Sequence, residues 1–332
     1  MKIAHVAVVT PNRCGLYETT RELVSAERKL GHDARIVDPQ PIKGIYPGDN
    51  TVDRGADIAT KDFVFEADVV INHSGMDGEL DKATAPVIYM SHGRPYSSFI
   101  GERNGGAPIY SYHIRKDESK RFKAVVTLWE EHVPFLNVVY TNTPVYSINP
   151  TVDLEIWTPV GPSGYGFHGK KGNTNLVITD PWRDDIDPYL SIQSALLFCR
   201  NWKDAKVHIY GADENRKGFE SLFYLLEREG YLGEVCGWTK GLDHVYRAAD
   251  VMVTPHRIAT RSVREAMASG CQVVTARDCD PYDIESTARV IAHKLTYPSD
   301  TRTTATQLFS PETAVRSLLE ICDKYVSKLE PV

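Results

Sequence analysis

The sequence predicts an α/β protein of two domains, each a parallel sheet with helices on both faces. Three observations predict it. Short β-branched runs alternate with helix-like segments along the whole chain, the pattern of sheets built from βαβ units. The length of 332 residues exceeds the roughly 250 to 300 residues that one hydrophobic core organises. A glycine-rich stretch with no apolar period, 159–173, separates two series of strands and reads as a linker.

In the first half the strand candidates are IAHVAVV, ARIV, DVVINH, PVIYMSH, AVVTL and VYSIN. Between the first two, Leu16, Thr20, Leu23, Val24 and Leu30 fall roughly on one face, with Gly31 as a stop, which predicts a helix. In the second half NLVIT, KVHIYG, EVCGW, VMVTP, CQVVTA and ARVIAH read as strands, and 190–200, 219–229, 243–249 and 262–269 as helices. The closing run, 311–329, has Ser310 as N-cap and Pro311 at the first helical position. There Val315, Leu318, Leu319, Cys322, Tyr325, Val326 and Leu329 recur at three- and four-residue spacing, which predicts an amphipathic helix. The expected division is 1–158, 159–310 and a final helix, 311–332, packing back on the first domain.

With 42% hydrophobic and 25% charged residues, the composition is that of a soluble globular protein. The first apolar run is about seven residues long, short for a signal-peptide core, and no run of about 18 apolar residues offers a membrane span. Cys14, Cys199, Cys236, Cys271, Cys279 and Cys322 are scattered without a CxxC pair, which points to a reducing, cytoplasmic setting. A net charge of −6 argues against nucleic-acid binding by the surface as a whole. One basic segment, Arg115, Lys116, Lys120, Arg121 and Lys123, is interleaved with Asp117 and Glu118 and reads first as a solvated helix face.

Open α/β sheets bind ligands beyond the carboxyl ends of their strands, so residues that follow strands are the candidates. Gly15 closes the loop after the first strand, where helix amides meet a phosphate; an ordinary tight turn explains it equally well. His73 and His92 each follow a strand of the first sheet; two histidines at one sheet edge point to ligand contact as readily as to structure. Arg183 follows NLVIT, where a planar guanidinium suits a diphosphate. The segment TPHRIATRSVREAMASG is the most informative. Its helix begins near Ser262, so the amides of Thr260, Arg261 and Ser262 would point at an anion, and Glu265 would accept hydrogen bonds from ribose hydroxyls. A favourable charge on the helix dipole is the competing account of Glu265.

At these residues the chain resembles glycosyltransferase family 4, the retaining GT-B enzymes. The stretches that carry the resemblance run in order: RELVSAERKLGHDARIVDP, ADVVINHS, PVIYMSHG, AVVTLWEEH, VYSINPTVDLEIWTP, VHIYGAD, EVCGWTKGLDHVYRAADVMVTP and VREAMASGCQVVTA. The resemblance implies a GT-B fold, two Rossmann-like domains facing each other across a cleft. It implies a nucleotide-sugar donor held by the C-terminal domain and an acceptor held by the N-terminal one, with no cofactor and no metal. It places Glu265 on the donor ribose, Arg183 on the diphosphate, His92 beside the transferring sugar, Gly15 in the phosphate-facing loop, and Trp238 and Thr239 at the nucleobase.

Three departures stand out. The family pairs two glutamates eight positions apart, and eight before Glu265 stands Arg257. The lysine expected five after the arginine is Pro188, and the glycine loop is reduced. The missing glutamate addresses sugar hydroxyls in the family, so the expected donor is an unusual one, with Arg257 or Arg261 supplying charge to the diphosphate. Asp278 and Asp280 form a DxD after a late strand and read as a loop feature. On the acceptor side His73, Tyr96 and Arg103 are the candidates, and aromatics among bases are compatible with a modified DNA base as acceptor. The competing functions are a GT-B module that binds nucleotide without catalysis, and a nucleotide-sugar epimerase.

Overall fold

The computed structural model describes residues 1–8, 15–39, 58–73, 83–92, 121–162, 167, 172–179, 188–211, 219–237, 239 and 241–326. Of the residues singled out above, Cys14, Tyr96, Arg103, Arg115, Lys116, Asp117, Glu118, Lys120, Arg183, Trp238 and Leu329 lie outside them. The chain divides into two compact units, Met1–Thr151 with Phe309–Val332, and Val152–Leu308.

The first unit contains β1 (Lys2–Val6), α1 (Gly15–Lys29), β2 (Asp33–Val37), β3 (Ile58–Ala59), α2 (Asp62–Phe65), β4 (Val69–Asn72), β5 (Val87–Ser91) and β6 (Phe122–Thr127). A 3-10 turn, Glu130–His132, then leads into α3 (Val133–Val139), followed by β7 (Val145–Ser147). Its strands pair in parallel in the order β3-β2-β1-β4-β5-β6-β7. Every residue of β4 and β5 is buried, which is why these strands read as unbroken apolar runs; helices cover both faces of a parallel sheet.

The second unit contains β8 (Thr174–Ile178), α4 (Pro188–Asn201), β9 (Ala205–Tyr210), α5 (Glu220–Arg228), β10 (Leu232–Cys236) and α6 (Leu242–Ala248). β11 (Val251–Val253), α7 (Arg261–Ala268), β12 (Gln272–Val274), α8 (Ile284–Thr296) and α9 (Thr301–Leu308) complete it. The strand order is β10-β9-β8-β11-β12, again parallel throughout. Alternate residues of β8 serve opposite faces: Leu176 and Ile178 join one core cluster, Val177 the other. This is the period-two geometry of a strand. The last helix, α10 (Pro311–Val326), belongs to the first unit and packs on α1 with Val315, Leu318 and Cys322 fully buried.

Two expectations are corrected. ARVIAH is not a strand but part of α8. The Asp283 carboxylate accepts from the Ser286 amide as its N-cap, and Thr287, Ala288 and Ile291 bury one face. A short apolar run fits either period, and here the cap decides. The expected boundary after residue 158 also moves, because 152–158 belongs with the second unit. Arg302 of α9 donates to the carbonyls of Leu154 and Trp157 as well as Ala268. Arg247 donates to those of Thr158 and Pro162, and the Trp157 ring lies 5.8 Å from that of Tyr246. Gly270 ends α7 at φ 86°, and a Cβ there would come within 3.2 Å of Pro159, so the turn requires glycine on both counts.

Candidate functional site

Strand order reverses between β1 and β4 in the first sheet and between β8 and β11 in the second, and the carboxyl ends at such switch points are where open α/β sheets bind ligands. The two ends carry different chemistry.

In the first sheet, register pairs His5 of β1 with Ile71 of β4, and Ile71 with Ile88 of β5. His73 lies two residues beyond Ile71 and His92 four beyond Ile88, so the period of two puts all three histidines on one face. On the buried stripe of α1, Thr20, Leu23, Val24 and Glu27 meet that face. The result is a column of four groups. Glu27 Oε2 lies 2.7 Å from His5 Nε2, His5 Nδ1 lies 2.9 Å from His73 Nε2, and His73 Nδ1 lies 2.7 Å from His92 Nε2. Neighbouring rings sit with centroids 5.1 and 5.0 Å apart. Thr20 Oγ1 is 3.3 Å from His73 Nδ1 and donates to the Leu16 carbonyl.

Glu27 and His5 are wholly buried, His73 is 3% exposed, and His92 is half-buried at the outer end. Burial, and then the neighbouring His92 and His5, hold His73 well below the usual histidine value, so it stays neutral at physiological pH. His73 was expected to touch an acceptor. With both ring nitrogens facing other imidazoles inside the unit, it instead connects His92 to the interior.

At the second switch point β11 runs through Thr254, Pro255 and His256 into α7. The Thr254 amide donates to the Val274 carbonyl and the Ala276 amide to that of His256, so the loop continues the sheet edge. Thr260 is the N-cap of α7 without a side-chain cap hydrogen bond, its hydroxyl 3.1 Å from that of Ser262. The first amides of a helix have no intrahelical acceptor, and Arg261 and Ser262 supply them here. Glu265 stands one turn in, 6% exposed, and Arg261 Nε binds its Oε1 at 2.6 Å. The Arg264 guanidinium, also buried, donates to the Ala259 carbonyl and ties the loop to the helix. A small pocket near this end is lined by Leu190, Ser194, Thr254, Pro255, Thr275 and Ala276.

The other candidates lie as follows. Gly15 is the exposed first residue of α1, Arg257 is exposed in the loop before α7, and Thr239 is half-buried after β10. Pro188 opens α4, a position where a missing amide hydrogen is harmless. Asp278 binds Lys294 at 2.7 Å and accepts from the Thr275 amide and hydroxyl. Burial raises its pKa, and those partners outweigh burial and hold it below the ordinary 3.8. Asp280 accepts from the Tyr282 amide, so this DxD closes a loop. Among the described residues no three His, Cys, Asp or Glu side chains are grouped to hold a metal, and no helix is long and apolar enough to cross a membrane.

Sequence reading missed His5 and Glu27. Both had a signal. A histidine inside the apolar run KIAHV, and a glutamate seven residues after Thr20 on the stripe of Leu23 and Val24, are polar groups at core positions, which require partners.

No protein-family model matches the sequence, and no curated protein matches it by sequence. Solved structures match nearly all of it. Sucrose-phosphate synthase from Thermosynechococcus elongatus is similar at TM-score 0.72 and 12% identity, over 98% of this chain and 99% of that one. Anabaena HepE, solved with UDP and glucose, is similar at 0.69 and 12%, over 98% and 100%. An alpha-glucosyltransferase solved with UDP and a 13-mer DNA is similar at 0.65 and 11%, over 96% and 99%. At such identities the likeness is one of fold, and the fold of this chain is the GT-B fold.

Proposed function

We propose that this chain is a glycosyltransferase of the family 4 type, moving a sugar from a nucleotide-sugar donor to an acceptor with retention of configuration and without a metal ion. The observation that carries the reading is the passage from β11 into α7. The first amides of a helix and the buried Glu265 carboxylate stand together beyond a switch-point strand, a combination suited to a diphosphate and a ribose. The whole-chain likeness to structures solved with UDP supports the same reading.

In this scheme the amides of Arg261 and Ser262 and the guanidinium of Arg183 meet the diphosphate, and Glu265, held by Arg261, accepts from the ribose. Thr239 and Trp238 border the base, and Gly15 meets the phosphate side. His92 belongs beside the transferring sugar, with Tyr96 and Arg103 toward the acceptor. The glycosidic carbon leaves the diphosphate, the acceptor oxygen bonds to the same face, and the departing phosphate oxygen takes the acceptor's proton. Fixed amides and arginines stabilise the charge that grows on the leaving group. Arg257 in place of a glutamate points to a donor other than the common hexoses.

Release of nucleoside diphosphate over a panel of nucleotide sugars, with and without acceptors, tests the reading. Donor-dependent release supports it. A folded protein that releases none is a binding module, and one that converts donor without acceptor is an epimerase; either result overturns it.

A modified DNA base as acceptor is the second reading, supported by the likeness to the alpha-glucosyltransferase solved on DNA and by the bases of 115–123. Affinity for DNA that falls steeply with salt is the expected result; a flat dependence contradicts it.

A further inference from the structure

We propose that Glu27 is a positioning residue for His92, fixing the tautomer and ring orientation of that histidine through His5 and His73. Its catalytic consequence rests on the reading of His92 as the residue beside the sugar; the column itself rests on geometry alone.

A neutral imidazole carries one N–H and one acceptor nitrogen, and an ionised carboxylate only accepts. Each contact in the column therefore needs one donor and one acceptor. Glu27 accepts, so His5 donates from Nε2 and presents Nδ1 as acceptor. His73 then donates from Nε2 to His5 Nδ1 and presents its own Nδ1 to His92 at 2.7 Å, a contact much shorter than the 3.3 Å approach of Thr20 Oγ1 to the same nitrogen. His92 in turn donates from Nε2 to His73 Nδ1. The second nitrogen of His92, Nδ1, thereby carries no proton and has the character of an acceptor. One carboxylate at the inner end decides the proton positions of three rings.

Burial makes the order strict. Glu27 and His5 are wholly buried and His73 is nearly so, so a misoriented proton would leave a buried nitrogen unsatisfied, which is heavily penalised. The Cys322 thiol is pushed far up by burial and then by Glu27, so it stays protonated and brings no competing charge. The rings lie with centroids 5.1 and 5.0 Å apart, inclined at 28° and 41°, and this close contact limits their rotation. The arrangement resembles in logic any histidine whose outer nitrogen is defined by what its inner nitrogen binds.

The test is nitrogen-15 NMR of the histidine rings in the full-length protein, assigned with His92→Asn and His73→Asn. All three rings are expected in the Nε2–H form. In Glu27→Gln the amide can either donate or accept, so the His92 ring nitrogens are expected to average or exchange roles. Transfer in that variant should lose about tenfold in kcat with donor KM unchanged. A wild-type spectrum with His92 in the Nδ1–H form or in a mixture overturns the proposal, and needs no variant to fold. A folded Glu27→Gln protein whose His92 keeps the wild-type tautomer overturns it as well. A changed tautomer with unchanged kcat upholds the column and contradicts the placement of His92 beside the sugar.

Discussion

The two switch points occupy equivalent places in their sheets and are built in opposite ways. At β1 and β4, the polar groups are inside: Glu27, His5 and His73 bind one another in the buried interior and His92 stands half-buried at the outer end. Beyond β11, Thr254, His256, Arg264 and Glu265 are covered, and the helix start itself, Thr260, Arg261 and Ser262, is half-buried. The first arrangement fixes one side chain in advance; the second offers amides and charge to an incoming anion. The contrast teaches that one topological location serves either preorganisation or reception, depending on whether its polar residues lie on the strands or on the following helix.

Stability measurements probe that contrast most strongly. His5→Ala leaves the Glu27 carboxylate buried without its ring partner and should destabilise the first unit by about 3 kcal/mol, read as a fall in its urea unfolding midpoint. Arg261→Ala leaves the buried Glu265 carboxylate without its guanidinium, but Arg261 itself is only half-buried and water can reach the gap, so the second unit should lose less, about 2 kcal/mol. Equal losses would erase the distinction between the two ends.

Kinetics separate them next. Glu265→Gln weakens a charged acceptor for the donor and should raise donor KM about tenfold with kcat within about twofold. That is the inverse of the pattern expected for Glu27→Gln. If both variants affect the same parameter, the assignment of binding to one unit and positioning to the other fails.

The smallest effect concerns acid. Asp278 is held below its ordinary 3.8 by Lys294 and Thr275, so its contribution is present above about pH 4 and disappears as pH falls through the folded value. Asp278→Asn should cost about 1 kcal/mol at neutral pH, with a smaller difference from wild type in acid titrations of the second unit. A difference that grows toward low pH contradicts this structural role.

Much of the fold is legible in the sequence because parallel strands buried on both faces leave continuous apolar runs such as VVIN and VIYMS, and each is followed by a polar turn. ARVIAH was not legible, since its apolar residues fit a strand and its Asp283 cap lies outside the run. The attachment of 152–158 to the second unit was hidden for another reason: Arg302 and Arg247 bind main-chain carbonyls, which leave no trace in side-chain pattern. The placement of Arg261, Ser262 and Glu265 at a helix start is legible because a strand–loop–helix sequence announces one. The position of His73 and His92 at strand ends is legible too, yet their connection is not. It runs through His5 and Glu27, two polar residues in apolar positions that were read as parts of a strand and a helix.

Titration calorimetry of nucleoside diphosphates against the wild-type protein and Glu265→Gln tests the central claim most directly. The account predicts binding of at least one diphosphate by the wild type with one site per chain, weakened about tenfold in the variant. A folded wild-type protein that binds none of them, or a Glu265→Gln protein that binds equally well, would contradict it.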